Sequence, residues 1–141
     1  MITSLVLPEG LRAQIAREAH DALPRECCGL IEGRIEGARA TALACHAAAN
    51  LAKGADRFEI DPAAHFRLLR GLRHSGRSVI GCYHSHPQGR PEPSVRDRAG
   101  ACERGFVWLI AAGADPAVSL GAFAWDGANF HALSIEEPAV A

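Results

Sequence analysis

At 141 residues, 48% of them apolar, the chain has the size of one ordinary domain and enough material for a proper core. Fourteen Arg and a single Lys against sixteen Asp and Glu leave a net charge of −1, which excludes a field strong enough to drive binding to nucleic acid or anionic lipid. No apolar run approaches the roughly 18 residues that read as a membrane span, and the start, Met1 to Pro8, lacks the basic segment and long apolar core of a signal peptide.

No linker, repeat or low-complexity segment divides the chain, so one domain over residues 1–141 is expected. Ser4 to Leu7 reads as a short strand stopped by Pro8. A helix follows from Glu9 to Leu23, with Leu11, Ile15, Ala19 and Leu23 as its apolar stripe and Pro24 closing it. Cys28 to Gly33 is a buried strand with Ala38 to His46 as its hairpin partner, and Phe58 to Ile60 reads as another strand. Asp61 and Pro62 open a second helix with Phe66, Leu69 and Leu72 inside and Gly76 at its end. Ser78 to His84 alternates as a strand, with Val79, Gly81 and Tyr83 opposed to Ile80, Cys82 and His84. Apolar strands from Phe106 to Ala112 and Ala117 to Trp125 flank an Asp115-Pro116 turn. Asp126-Gly127 signals a hairpin into a last strand, Asn129 to Ile135. The sum is a mixed α/β domain.

The strand from Ser78 leads into His84-Ser85-His86, a Pro/Gly-rich turn, Ser94 and Asp97. Histidines spaced i, i+2 on a strand point to one face, so both rings can reach one ion. Catalytic zinc takes three His or carboxylate ligands and leaves a fourth position for water. Asp97 is the returning carboxylate, and Ser94 offers a hydroxyl to the reacting group. Ser-x-x-Asp is also a helix capping box, which would put Asp97 on a first helical turn beside the histidines. For His20, His46, His65, His74 and His131, which have no partner nearby in sequence, an ordinary core or solvated side chain is the better reading. Cys82 reads as a small apolar residue packing inward. Five cysteines, Cys27, Cys28, Cys45, Cys82 and Cys102, are an odd set without a Cys-x-x-Cys pair. A disulfide framework and a four-cysteine zinc site are therefore excluded, and a reducing cytoplasm suits them.

Hydrolysis at such a site needs a general base held near the ion, most often Glu. Glu26 comes first because it opens the apolar strand after Pro24 and so faces a pocket. Glu59, between Phe58 and Ile60, comes second.

The spacing His-x-His-x7-Ser-x2-Asp over residues 84–97 resembles the signature of the JAMM (MPN-plus) metallopeptidases, and Pro24-Arg25-Glu26-Cys27-Cys28-Gly29-Leu30 resembles the family's other block. Asn50 and Arg57 to Pro62 are similar to the connecting segment of its compact prokaryotic members. The resemblance spans roughly Leu11 to Trp125. It implies a curved mixed β-sheet flanked by helices, zinc held by His84, His86 and Asp97, Glu26 as the base that activates water, and Ser94 as the oxyanion donor. It further implies hydrolysis after the C-terminal Gly-Gly of a ubiquitin-like or sulfur-carrier protein. Only eight residues separate Asp97 from Phe106, and no long excursion lies between His46 and Phe58. The ubiquitin-chain-specific members carry insertions there, so a small processing enzyme is expected. Two alternatives stand beside it: a non-catalytic interaction module of the same fold, and a zinc hydrolase of a small molecule. A deaminase of that last kind prefers a His/Cys/Cys set with Pro-Cys-x-x-Cys, which is absent.

Overall fold

A computed structural model describes residues 1–139. The elements run β1 (Ser4–Val6), α1 (Glu9–Ala22), β2 (Cys28–Glu36), β3 (Arg39–Ala48), α2 (Pro62–Gly71), β4 (Ser78–His86), α3 (Val95–Gly100), β5 (Val107–Ala114), β6 (Ala117–Trp125) and β7 (Phe130–Glu136). The strands are joined in the order β1-β3-β2-β4-β5-β6-β7 and close into a barrel. The sheet is mixed and helices lie against it, as expected, but it is a closed barrel and not an open curved sheet. The closure rests on three residues: β1 pairs in parallel with β3 through Ser4↔Arg39 and with β7 through Ser4↔Ser134. Pairing both flanks of so short a strand covers the two edges an open sheet would leave exposed.

Two apolar clusters divide the interior. The larger joins Leu5, Leu7, Ile31, Tyr83 and Leu109 to Ile15 and Ala19 of α1. Within it the Tyr83 hydroxyl donates to Glu18 Oε1 (2.6 Å), and Gln14 braces the same carboxylate (2.8 Å). The smaller gathers Leu30, Val79, Cys82 and Trp108, packed by Phe58, Ile60, Leu68 and Leu72.

Several boundaries differ from the sequence expectation. Phe58 to Ile60 is no strand; Ile60 makes one isolated bridge to Asn50. The second helix stops at Gly71 rather than Gly76, because His74 takes a left-handed φ of 65° and the Ser75 hydroxyl donates back to the Leu72 carbonyl. Its inward pair is Leu68 and Leu72. Phe66, turned roughly 200° from Leu68, is 59% exposed, and Leu69 is 49% exposed. Of the three residues expected inside, Leu72 alone packs inward, and Leu68 takes the place of Phe66 and Leu69. Leu23 also ends up exposed, one residue past α1.

β4 departs from simple alternation. Its register against β2 passes from Ile31↔Gly81 to Glu32↔Val79, so one extra residue bulges at Ile80. Val79 consequently shares a cluster with Cys82, while Ile80 shares one with Tyr83. Beyond the bulge, Cys82, His84 and His86 follow one face. Gly81 is required there, since an added Cβ would stand 2.1 Å from the Val107 carbonyl oxygen of the parallel neighbour β5. Gly81→Ala should therefore destabilise the protein by about 1–3 kcal/mol, the usual cost of overpacking. Thermal and denaturant unfolding measure this, and wild-type stability in the variant would contradict so close a β4–β5 approach.

Candidate metal centre

β4 ends between β2, where His84 faces Cys28, and β5, where His84 faces Ile110 and His86 faces Ala112. Ser85 points to the other side. Its Oγ accepts from the Cys27 amide (2.8 Å) and its own amide donates to the Cys27 carbonyl (3.1 Å). That reciprocal pair sets the residue before Cys27, Glu26, beside the two histidines. Because β4 and β5 are parallel, residues 87–106 must carry the chain back over the strand ends. α3 lies on this crossover. Ser94 caps it with a complete capping box: Ser94 Oγ accepts from the Asp97 amide (3.0 Å), and Asp97 Oδ2 accepts from the Ser94 amide (2.9 Å). The cap aims Asp97 at the histidines, as the sequence led one to expect.

Three donor atoms meet there. His84 Nε2 and His86 Nε2 are 3.0 Å apart, and Asp97 Oδ2 lies 3.1 Å from the first and 3.2 Å from the second. These separations approach the roughly 3.3 Å edge of a tetrahedron with ligand bonds of about 2.0–2.1 Å. The set thus fits a divalent zinc-type ion. A Glu26 carboxylate oxygen also lies within 4.8 Å of histidine donor atoms, outside the tight triad. Its Oε1 is buried and accepts no hydrogen bond, an unfilled acceptor suited to a water activated at the centre. The alternative base, Glu59, is exposed. Cys82 sits two residues before His84 and packs inward with Leu30, Val79 and Trp108.

The electrostatics follow from burial. Desolvation pushes the Glu26 carboxyl up to about 7, partly opposed by nearby His86. Desolvation also lowers His84 and so favours the neutral imidazole that a metal needs. For Asp97 burial acts upward, but in the metal-free centre the adjacent His84 and His86 rings and the Ser94 amide prevail and hold it well below the usual carboxylate range. His86 Nδ1–H donates to the Arg90 carbonyl (2.8 Å), which leaves Nε2 with its lone pair toward the centre. His84 is oriented differently. Its Nδ1 is buried without a hydrogen-bond partner, while Phe58 stacks on the ring at 4.2 Å and Trp108 meets it edge-on at 5.8 Å.

Two cavities flank the triad. One, of about 840 Å³, is walled by Leu23, Pro24, Glu26, His86 and the turn from Pro87 to Ser94. The other, of about 470 Å³, lies on the Asp97 side among Leu30, Phe58, Ile60, Phe106 and Trp108. Of the remaining histidines, His46 does have a partner: it meets buried Glu32 (2.8 Å), which also accepts from Arg77 (2.8 Å), in a cluster bridging β3, β2 and the start of β4. His131 likewise pairs with Asp126. Sequence reasoning missed Phe58 and Ser85 as supports of the centre. Ser85 was findable as the inward residue of His-x-His; Phe58 carried no local signal.

Residues 8–126 match the family described as prokaryotic homologs of the JAB domain. Over 137 residues the chain is 31% identical to the desampylase of Haloferax volcanii, covering 88% of this chain and 95% of that one. It is 37% identical over 97 residues to a probable TtuB-protein conjugate cleaving protease of Thermus thermophilus, covering 66% and 60%. The solution structure of a Desulfitobacterium hafniense protein superimposes with a TM-score of 0.81 at 26% identity, covering 95% of this chain and 94% of that one. The chain belongs to the prokaryotic homologs of the JAB domain, the compact prokaryotic branch of the JAMM family that its motifs resemble.

Proposed function

We propose that this chain is a zinc-dependent isopeptidase, a single catalytic domain that hydrolyses the bond after the C-terminal Gly-Gly of a ubiquitin-like or sulfur-carrier protein. The observation that carries the reading is the convergence of His84, His86 and Asp97 within 3.0–3.2 Å of one another, with the unfilled Glu26 Oε1 beside them. Relatives named as a desampylase and as a TtuB-protein conjugate cleaving protease support the substrate class.

In this mechanism His84, His86 and Asp97 would hold the ion. Zinc there would supply a Lewis acid for the scissile carbonyl and would lower the pKa of water to about 7. Glu26 takes a proton from the attacking water at Oε1 and delivers it to the leaving amine. Burial serves this role, because it raises the carboxyl of the metal-free centre above the ordinary carboxylate range, the direction that a group taking and returning a proton needs. The Ser94 hydroxyl accepts from the Asp97 amide and keeps its own hydrogen to donate to the developing oxyanion. A Gly-Gly tail suits the cleft between Pro24 and the Pro87–Ser94 turn, because a backbone without side chains can approach the buried ligands closely. Five free cysteines suit a reducing compartment such as the cytoplasm. A net charge of −1 gives the chain no strong field toward nucleic acid or anionic lipid.

Glu26→Gln keeps the shape and removes the proton acceptor. With a Gly-Gly carrier fusion as substrate, turnover should fall by about 10²–10⁴-fold while zinc content and melting temperature hold. Turnover close to wild type would remove Glu26 from the mechanism. For Ser94→Ala the two roles separate in two readings on one variant. Loss of the cap should cost about 1 kcal/mol of stability, and loss of the oxyanion donor should lower kcat by about 10²-fold with little change in KM. A destabilised variant that retains full kcat would reduce Ser94 to a helix cap.

A further inference from the structure

The side chain of Asn50 makes every hydrogen bond an amide can make. Nδ2 donates to the carbonyls of Glu26 and Arg57, and Oδ1 accepts from the amides of Ala52 and Glu59, all at 3.0 Å. The backbone closes the same knot: Asn50 bridges Ile60, and the Leu51 amide donates to the Glu59 carbonyl (2.9 Å). Arg25 adds its guanidinium to the carbonyls of Asn50 and Ala52. Residues 51–59 thus form a loop drawn shut at its neck, and the neck is tied to the backbone of Glu26. The ring that this loop delivers is Phe58, which lies parallel to His84 at 4.2 Å and 19°.

That placement matters because the two histidines are oriented by different means. His86 has the Arg90 carbonyl behind it, whereas the buried His84 Nδ1 has no partner. A ligand ring without such a bond depends on packing for its angle, and its packing partners are Phe58 and Trp108. Trp108 is held within β5. Phe58 belongs to no regular element and is held by the Asn50 knot.

We propose that Asn50 is a positioning residue of this centre: one side-chain amide sets the backbone of the base Glu26 and, through Phe58, the ring plane of His84. The inference rests on the zinc reading above for its metal arm only. A purely structural Asn50 would stabilise the loop without altering His84 or the metal.

The test uses Asn50→Ala, Phe58→Leu, Phe58→Tyr and the double variant Asn50→Ala/Phe58→Leu. Glu32→Ala serves as a control that loosens the fold away from the centre. In metal-free wild-type protein the His84 ring protons are shielded by the Phe58 face and should resonate upfield by NMR. Phe58→Leu should abolish that shift, Phe58→Tyr should keep it, and Asn50→Ala should abolish it although Phe58 is present. In zinc-loaded protein, release to a chelator should be faster by about 10–100-fold in Asn50→Ala and in Phe58→Leu, the range seen when groups supporting metal ligands are removed. The double variant should be no faster than Asn50→Ala alone, since both changes act through one contact. A wild-type His84 resonance in Asn50→Ala overturns the proposal, as do additive effects on zinc release or an equal acceleration in Glu32→Ala. If Asn50→Ala does not fold, Asn50→Asp keeps both Oδ1 bonds, loses both Nδ2 bonds and must shift the same readings in the same direction. Wild-type protein that takes up no zinc would refute the zinc reading, while the resonance measurement would still decide the role of Asn50.

Discussion

The parallel pairing of β4 with β5 is the constraint on which the rest of the site depends. It seats His84 opposite Ile110 and His86 opposite Ala112, while on the other flank β2 pairs His84 with Cys28. A parallel pair cannot be joined by a tight turn. The crossover it forces sweeps residues 87–106 over the carboxyl ends of both strands and sets α3 there, and with α3 come Asp97 and Ser94. Carboxyl ends of parallel strands are where open α/β sheets commonly bind ligands, and the same geometry operates in this barrel. The bulge at Ile80 and the missing side chain at Gly81 are the local concessions that make the pairing possible.

Burial then decides the chemistry. Two side-chain atoms among the described residues are buried without any hydrogen-bond partner, Glu26 Oε1 and His84 Nδ1, and both residues belong to the centre. The same burial raises Glu26 and keeps His84 neutral, while the histidines hold Asp97 ionised. One environment therefore drives two carboxylates apart, one suited to proton exchange and one to holding a cation, a pattern typical of sites that run acid–base chemistry near neutrality.

What could be read in the sequence was local. The strand into His84, the i, i+2 geometry and the Ser94–Asp97 cap all lie within a short stretch whose period and capping chemistry are set by neighbours. The likeness of the Glu26 block to a known family supplied what physics alone left nearly open between Glu26 and Glu59. What escaped depended on contacts distant in sequence. Closure of the barrel needs β1 to meet both β3 and β7. The inward face of α2 is chosen by Phe58 and Ile60, not by its own apolar count. The Asn50 knot joins residues 26, 50, 57 and 59, and the Glu32–His46–Arg77 cluster joins β2, β3 and the residue just before β4. No spacing rule within one segment reveals either.

The central claim is that the centre is built from two imidazoles and one carboxylate at the end of β4, with the neighbouring thiols uninvolved. X-ray absorption at the zinc edge of the purified, zinc-loaded protein tests it most directly. The account predicts a nitrogen and oxygen shell alone at about 2.0–2.1 Å, with two imidazole contributions. A sulfur shell at about 2.3 Å, which would bring Cys82 or another thiol into the coordination sphere, would contradict it.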